Sequence, residues 1–386
     1  AVTMFLVGME MAETGAALER MTTALDLTPS RQGLLVSLRF VGGLVVGLLL
    51  WAGHAHVRFK EALGAALILV VVSGPFLLFH SYGAALTVAI LRGLSMGAVI
   101  PLSGMFAAAQ RRWKPGQVAA TVNATLSAGM VVLSLFATVL AATIEVSWEA
   151  YWVPASVLGA VLLLVLPFVV FPRSGAGADD GADAGGATPE RRRAHREGVG
   201  PIAGTTWTYA AAGLLLVGSE SVLLGLMPAQ TVLAAGSGAG GELLALYLMA
   251  GVLVGRTAGT WLFSRFATVR VLTVSIVVLA AAAIGWTVFP WVAPAMLFVL
   301  GCATANLFPG IISHISHERP ESAGATIASI GWTGGLGGTV VPSLAGAALG
   351  AGFPVRLLTV FVIIPSLGAY FLARTVGSSR AGAVDA

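Results

Sequence analysis

Apolar stretches alternate with short polar segments along the whole chain, and most of the apolar stretches are long enough to cross a membrane. An α-helix needs about 20 apolar residues to span the hydrocarbon core of a bilayer. The pattern therefore predicts an all-α membrane protein with twelve transmembrane helices, six in each half. The predicted spans are 1–20, 31–53, 61–80, 84–109, 117–143, 150–171, 204–229, 242–264, 270–289, 293–313, 322–349 and 352–374.

A polar segment rich in Gly, Ala and Asp interrupts the apolar pattern near the middle of the chain. Such a segment buries too little apolar surface to fold, so it predicts a linker. The predicted units are an N-terminal six-helix bundle (1–171), a cytoplasmic linker (172–203), a C-terminal six-helix bundle (204–375) and a cytoplasmic tail (376–386).

The two halves contain the same short motifs in the same order. Leu6-Val7-Gly8-Met9-Glu10 recurs as Leu216-Val217-Gly218-Ser219-Glu220. Two more matches follow: Gly93, Pro101 and Arg111 with Gly301, Pro309 and Arg319, and Ala120, Thr121 and Gly129 with Ala325, Thr326 and Gly334. Collinear matches at a nearly constant offset indicate two copies of one structural unit, as in many secondary transporters. We therefore expect two bundles related by pseudo-twofold symmetry.

Composition and charge placement support a membrane location. Of all residues, 57% are hydrophobic and 10% are charged, whereas soluble globular domains have about 25% charged residues. Most lysines and arginines fall in one alternating set of loops, which includes 54–60, 111–114, 173–196 and 265–270. The positive-inside rule then predicts that both termini are cytoplasmic, in a protein of the cytoplasmic (plasma) membrane. These basic runs are more typical of topology signals than of nucleic-acid binding.

The start of the chain and the histidines add few constraints. The first apolar run starts at Ala1 and leads directly into the repeat, so we expect helix 1 to begin before Ala1 and no cleavable signal peptide. Two pairs of histidines, His54 with His56 and His314 with His317, lie at predicted helix ends, where interfacial solvation explains them better than metal binding. We expect no metal, no cofactor and a monomeric chain.

A few charged residues lie within predicted membrane helices, where a charge costs several kcal/mol unless it is paired or hydrated. They are Glu10 and Glu13 on helix 1, Arg39 on helix 2, Arg92 on helix 4, Glu220 on helix 7 and Arg256 on helix 8. Counting about 1.5 Å per residue from the outer helix ends predicts that Glu10, Arg39, Arg92 and Glu220 share one layer. Arg256 lies deeper by this count, so the second half itself places no arginine at the depth of Glu220.

These depths suggest separate roles for the two glutamates of the repeat. Burial and a neighbouring arginine act in opposite directions on the protonation of a carboxylate. If Arg39 or Arg92 changes partners during transport, Glu10 or Glu13 takes up and releases a proton in step. We therefore assign these four residues to proton coupling, with a static buried ion pair as the alternative. Glu220 is assigned to substrate binding, and Arg256 to a gating or structural role.

Polar and aromatic side chains on other helices are candidates for the substrate site. They are Asn123 on helix 5, Tyr247 on helix 8, Asn306 on helix 10 and Trp332 on helix 11. Aromatic faces beside amide and carboxylate groups suit a polar molecule with some apolar surface. Interhelical hydrogen bonding or packing is the alternative interpretation of each residue.

The whole chain resembles the major facilitator superfamily in its predicted helices, repeats and central loop. The segment from Arg92 to Gly97 resembles the start of that family's fourth helix. Three motifs are similar to the fucose/glucose permease group of proton symporters: Gly218-Ser219-Glu220, Leu307-Phe308-Pro309 and Gly331 to Pro342. Drug antiporters have a glycine-proline signature in helix 5, and the stretch from Leu126 to Ala141 lacks proline.

The leading interpretation is a secondary transporter that moves a small polar organic solute, for example a sugar or related metabolite, with protons by alternating access. The alternative is a proton-driven exporter of drugs or secondary metabolites. An intramembrane enzyme or solute-sensing receptor is disfavoured, because the sequence has no nucleotide loop, no paired metal-binding acid motif and no extramembrane catalytic domain. The expected partners are a small-molecule substrate, protons and the lipid bilayer.

Overall fold

The computed structural model describes residues 2–51, 59–109, 115–169, 204–235, 240–318 and 323–384. The predicted linker, 172–203, lies outside the described residues. In the first half, the α-helices are α1 (Val2–Leu25), α2 (Pro29–Trp51), α3 (Phe59–Ser73), α4 (Tyr82–Ala109), α5 (Pro115–Thr143) and α6 (Val153–Val165). Short 3₁₀ turns extend α3 over Gly74–Phe79 and flank α6 at Trp148–Tyr151 and Leu166–Phe168.

The second half repeats this all-helical pattern. Its α-helices are α7 (Gly204–Gly225), α8 (Met227–Ala235), α9 (Gly241–Arg265), α10 (Thr268–Val288), α11 (Ala293–Thr304), α12 (Leu307–Glu318), α13 (Ala323–Gly350) and α14 (Leu358–Val384). Helix α14 thus continues through most of the segment that the sequence predicts to be a tail (376–386).

Two predicted helices, 204–229 and 293–313, are each broken into two pieces. The first breaks between α7 and α8, ahead of Pro228, and the second between α11 and α12, ahead of Pro309. A proline lacks an N–H, and its ring clashes with the carbonyl group four residues earlier. For Pro309 that carbonyl belongs to Ala305, which lies at the break.

The described helical segments include 10 candidate membrane spans by length and hydropathy. Helices α1 and α13, with 24 and 28 residues, are also long enough to cross a bilayer. Helix α1 carries buried Glu10 and Glu13, and α13 is rich in glycine, which lowers the hydropathy of both. Together these segments form the predicted set of twelve spans.

The two halves meet mainly through α2 against α13 and through α1 and α5 against α9. The close approach of α2 and α13 depends on glycine: a Cβ on Gly346 would lie 2.8 Å from the Cα of Gly33. Small residues allow helices to approach closely where lipid provides no hydrophobic driving force for association. Gly47 lies against Trp332 at the opposite end of the same helix pair.

We call the end of the bundle at which α1 ends and α2 begins the outer side. Here the halves are linked by polar contacts. Arg20 pairs with Glu242, which also accepts a hydrogen bond from Tyr151 Oη at 2.7 Å. The backbone N–H of Gly241 donates to Glu19 Oε2 at 2.6 Å, and Gln230 donates to Gln32. These contacts close the outer side between the halves.

Candidate functional site

A cavity of about 530 Å³ lies between the two halves, below the outer contacts. Its lining comes from α1, α2, α4 and α5 of the first half and from α7, α9, α12 and α13 of the second. Gly47, Pro101 and Gly331 extend the lining toward the inner ends of their helices. The polar side chains of the described lining are Arg39, Asn123, Glu220 and Arg256. Both copies of the repeat therefore contribute to one shared space.

Arg92 and Glu13 form an ion pair inside the first half, with 1% and 0% of their side chains exposed. The Arg92 guanidinium also donates to Trp152 O at 2.9 Å and to the hydroxyl groups of Ser156 and Ser73 at 2.6 and 3.1 Å. It lies 5.3 Å from the centroid of the Trp152 ring. Since its donors are used by α1, α3 and α6, Arg92 holds these helices together around α4, and it does not line the cavity.

Glu10 is 0% exposed, and neither of its carboxyl oxygens has a hydrogen-bond partner. It is close enough to Arg92, Glu13 and Arg39 for electrostatic interaction. An ionised carboxylate buried without hydrogen bonds costs several kcal/mol, and a bound proton removes that charge. Glu10 therefore differs from Glu13, whose Oε1 is held by Arg92.

Arg39 is 4% exposed and lines the cavity. Its Nη1 donates to Thr14 Oγ1 at 2.6 Å, whereas its Nε and Nη2 have no hydrogen-bond partner. Of the two arginines predicted for this layer, the one that forms an ion pair within the first half is Arg92. One edge of the Arg39 guanidinium is therefore buried without a hydrogen-bond partner.

Glu220 and Arg256 both line the cavity, and Arg256 Nη2 lies 3.7 Å from Glu220 Oε1. The expectation that the second half leaves Glu220 without an arginine is wrong. That expectation compares backbone depths, whereas a long arginine side chain reaches well beyond its own Cα. Arg256 Nη1 also donates to Ser127 Oγ at 3.0 Å. It thus connects α9 of the second half to α5 of the first.

The remaining candidate residues divide into one that lines the cavity and three that do not. Asn123 lines it. Tyr247 is 41% exposed on α9, and at about 100° per residue it lies on the opposite face from Arg256, nine positions later. Asn306 is buried at the break between α11 and α12, where its Nδ2 donates to Cys302 O at 3.2 Å. Trp332 packs edge-on against Trp207 with a centroid separation of 6.3 Å.

The apolar lining and Thr14 are not among the site residues predicted from the sequence. Phe40, Gly43 and Gly47 face the cavity from α2. Their spacing of three and four residues is a signal that a search for one-sided stripes would find. The contact between Arg20 and Glu242 joins positions 222 residues apart, and no local pattern indicates it.

Two bundles of membrane-spanning helices that enclose a shared cavity define a two-bundle membrane transporter. The sequence model of the Major Facilitator Superfamily matches residues 1–342, and the chain belongs to this family. It is an integral membrane protein and a transporter, and the predicted family and all-α fold are confirmed. Among curated proteins, no sequence match to the chain is found.

Solved structures of other transporters share the fold. A D-xylose–proton symporter superimposes with a TM-score of 0.74 at 14% identity, over 96% of this chain and 95% of that one. The E. coli fucose:proton symporter gives 0.64 at 14% identity, over 97% and 96%. A nucleoside transporter gives 0.68 at 13% identity, over 98% of both chains. At these identities the likeness shows the fold alone.

Proposed function

We propose that this transporter moves a small organic solute through the central cavity by alternating access and couples that movement to a proton carried by Glu10. The observation that carries the proposal is the Glu10 carboxyl group, which is fully buried in a membrane helix without a hydrogen-bond partner. Ionisable groups in such positions are expensive and commonly belong to proton pathways. Glu13 occupies the same helix but is held by Arg92.

Arg39 supplies the physical link between proton and cavity. It interacts electrostatically with Glu10 and Glu13 and also lines the cavity. When Glu10 is ionised, its charge balances that of Arg39. When Glu10 is protonated, the charge of Arg39 is available to a solute. In this scheme Arg92 and Glu13 form the fixed pair, and Glu10 and Arg39 form the responsive one.

Alternating access requires the outer contacts to break as the halves rock. The pair formed by Arg20 and Glu242 and the hydrogen bond from Gln230 to Gln32 join the halves at the outer side. Both involve side chains that water can solvate once the halves separate. The closely packed glycines of α2 and α13 place no side chains between these helices, so the helices can move past each other during the rocking.

The cavity lining favours a solute with one polar region and an apolar body over a sugar. The described lining is mostly glycine, methionine, aliphatic and phenylalanine residues. A sugar has many hydroxyl groups, and each one buried without a partner costs about 1–3 kcal/mol. Methionines adapt to varied apolar shapes, which also favours the second candidate function, proton-driven export of amphipathic compounds. The two candidates differ in whether the proton and solute move in the same direction.

A reconstitution experiment tests the coupling and its direction. The protein is placed in liposomes with an imposed pH gradient and supplied with radiolabelled sugars, nucleosides, aromatic carboxylates and amphipathic cations. A symporter accumulates its solute into alkaline vesicles, and an antiporter into acidic ones. We expect Glu10→Gln to abolish accumulation of the transported class while solute exchange continues. Glu145→Gln, an exposed carboxyl group in a loop, is the matched control. Full gradient-driven accumulation by Glu10→Gln would contradict the proposal.

A further inference from the structure

The charges that face the cavity are unequal. Arg39 and Arg256 contribute two positive charges, and Glu220 contributes one negative charge. Glu220 lies 3.7 Å from Arg256, which also donates to Ser127. The charge without a counter-ion in the described lining is therefore that of Arg39. An anionic ligand compensates this charge, and a cationic ligand adds to it.

The two unpartnered donors of Arg39 match one chemical group. Its Nη1 is used by Thr14, and its buried Nε and Nη2 have no partner. Nε and Nη2 lie on the same edge of the guanidinium, and their N–H bonds form a planar fork. A carboxylate accepts both bonds at once, in the bidentate geometry that makes arginine–carboxylate pairs strong and specific. A hydroxyl group or a single carbonyl oxygen leaves one of these donors unsatisfied.

The cavity that Arg39 lines is mostly apolar. The wall of the cavity includes Met4, Met11, Phe40, Met96, Ile100 and Phe308. The cavity volume of about 530 Å³ falls in the range typical of sites for small organic ligands. An apolar body fits this wall, and a single anionic head fits the fork.

We infer that the transported solute is an organic monoanion, a carboxylate attached to an apolar aliphatic or aromatic body, whose carboxylate binds the Nε and Nη2 edge of Arg39. This inference rests on the proposed function and names the solute class for the same site. The proton on Glu10 and the carboxylate on Arg39 then occupy the site together, so that one proton accompanies one anion.

This linkage sets the sign of the pH dependence. The charged groups that face Glu10 or the cavity from the surrounding helices are Glu13 on α1, Arg39 on α2, Arg92 on α4, Glu220 on α7 and Arg256 on α9. The sequence of α5, which packs beside them, contains no charged residue. Since Glu13 and Glu220 each have an arginine partner, Glu10 is the group whose protonation changes the charge near Arg39. Anion affinity therefore rises as pH falls, by up to about tenfold per unit for one linked proton.

Ligand binding to the purified wild-type protein in detergent tests the solute class without a gradient. The probes are phenylacetate, its neutral isostere phenylacetamide, phenethylamine as a cation and xylose as a sugar, each followed by thermal shift and calorimetry. We expect phenylacetate alone to bind, with an affinity that increases as the pH is lowered through the range in which Glu10 titrates. Equal binding of phenylacetamide and phenylacetate would overturn the inference, and this result requires no variant.

Substitutions locate the binding group. Arg39→Gln is expected to weaken phenylacetate binding by about 10- to 100-fold, and Arg39→Lys, which keeps the charge but loses the fork, by an intermediate factor. Arg31→Gln, on the same helix at its exposed outer end, is the control and is expected to bind normally. Glu10→Gln is expected to bind phenylacetate with little pH dependence. Unchanged affinity in a folded Arg39→Gln or Arg39→Lys protein would refute the assignment.

The two proposals fail in different ways. Gradient-driven uptake of sugars or amphipathic cations, without phenylacetate binding, would refute the inference that the solute is a monoanion. It would leave the proposed proton coupling intact. Phenylacetate binding at Arg39 without gradient-driven uptake would refute proton coupling and support the anion site.

Discussion

Removing the Glu242 carboxylate should open the outer side of the transporter. Glu242 is 2% exposed and accepts hydrogen bonds from both Arg20 and Tyr151 across the interface between the halves. Glu242→Ala removes both contacts from the state that the structure shows. In a state opened on this side, which the proposed alternating access requires, these contacts are absent, so its energy changes less and its population rises.

The expected magnitude follows from the exposure of each partner. The Arg20 side chain is 33% exposed, so solvent screens its pair, which contributes up to about 1 kcal/mol. The hydrogen bond from buried Tyr151 contributes about 1 kcal/mol. Their sum of about 2 kcal/mol corresponds to roughly a 30-fold shift in the equilibrium between the two states. Tyr151→Phe, which removes the second contact alone, should give about a fivefold shift.

Thiol labelling measures this shift. Cys302 is the single cysteine of the chain, so Cys302→Ala provides a background for Val36→Cys. Val36 is 2% exposed and packs against Gly225 at the interface between the halves. When opening is fast, the rate of labelling by a membrane-impermeant reagent follows the population of the open state. Glu145→Ala serves as the exposed control, and equal labelling rates in Glu242→Ala and Glu145→Ala would refute the reasoning.

Three further outcomes follow from the packing. Arg92→Met leaves Glu13 buried without its partner and should lower the free energy of unfolding, measured in detergent, by about 3–5 kcal/mol. Adding Glu13→Gln should restore part of that loss. No loss in the single variant would contradict the role of Arg92 and Glu13 as a fixed pair. Gly346→Leu places a side chain against the Gly33 backbone and should abolish the peak of folded protein in size-exclusion chromatography. A normal peak would disprove this expectation. Tyr247→Phe should leave solute affinity within about twofold of wild type in the calorimetric assay, because Tyr247 faces away from the cavity; a larger loss would place its hydroxyl group in the site.

The helical architecture is readable from the sequence because its physical cause is local. Apolar runs about 20 residues long have one stable arrangement in lipid, since backbone groups must be satisfied within the segment. The breaks ahead of Pro228 and Pro309 have a local cause as well, although similar prolines at 101, 342 and 365 lie within continuous helices. Packing against neighbouring helices decides between a bend and a break, and that information is not local.

The site is only partly readable for the same reason. Depth counting finds the buried charges, because their cost in lipid marks them in any membrane helix. It does not find their partners, which depend on side-chain reach and helix rotation: Glu13 takes Arg92, and Arg256 reaches Glu220. Asn123 faces the cavity and Tyr247 does not. The sequence does not distinguish them, because a helix that is apolar on all sides gives no signal for which of its faces points inward.

Counting protons tests the central role of Glu10 most directly. The solute selected by the uptake panel is added to purified protein in weakly buffered detergent solution, and proton uptake is measured with a pH indicator as binding saturates. At a pH at which Glu10 is ionised in the solute-free protein, symport predicts uptake of close to one proton per bound solute. At a pH at which Glu10 is protonated in the solute-free protein, antiport predicts release of close to one proton instead. Glu10→Gln should bind the solute with no proton uptake or release. A proton change in Glu10→Gln equal to that of wild type would contradict the account.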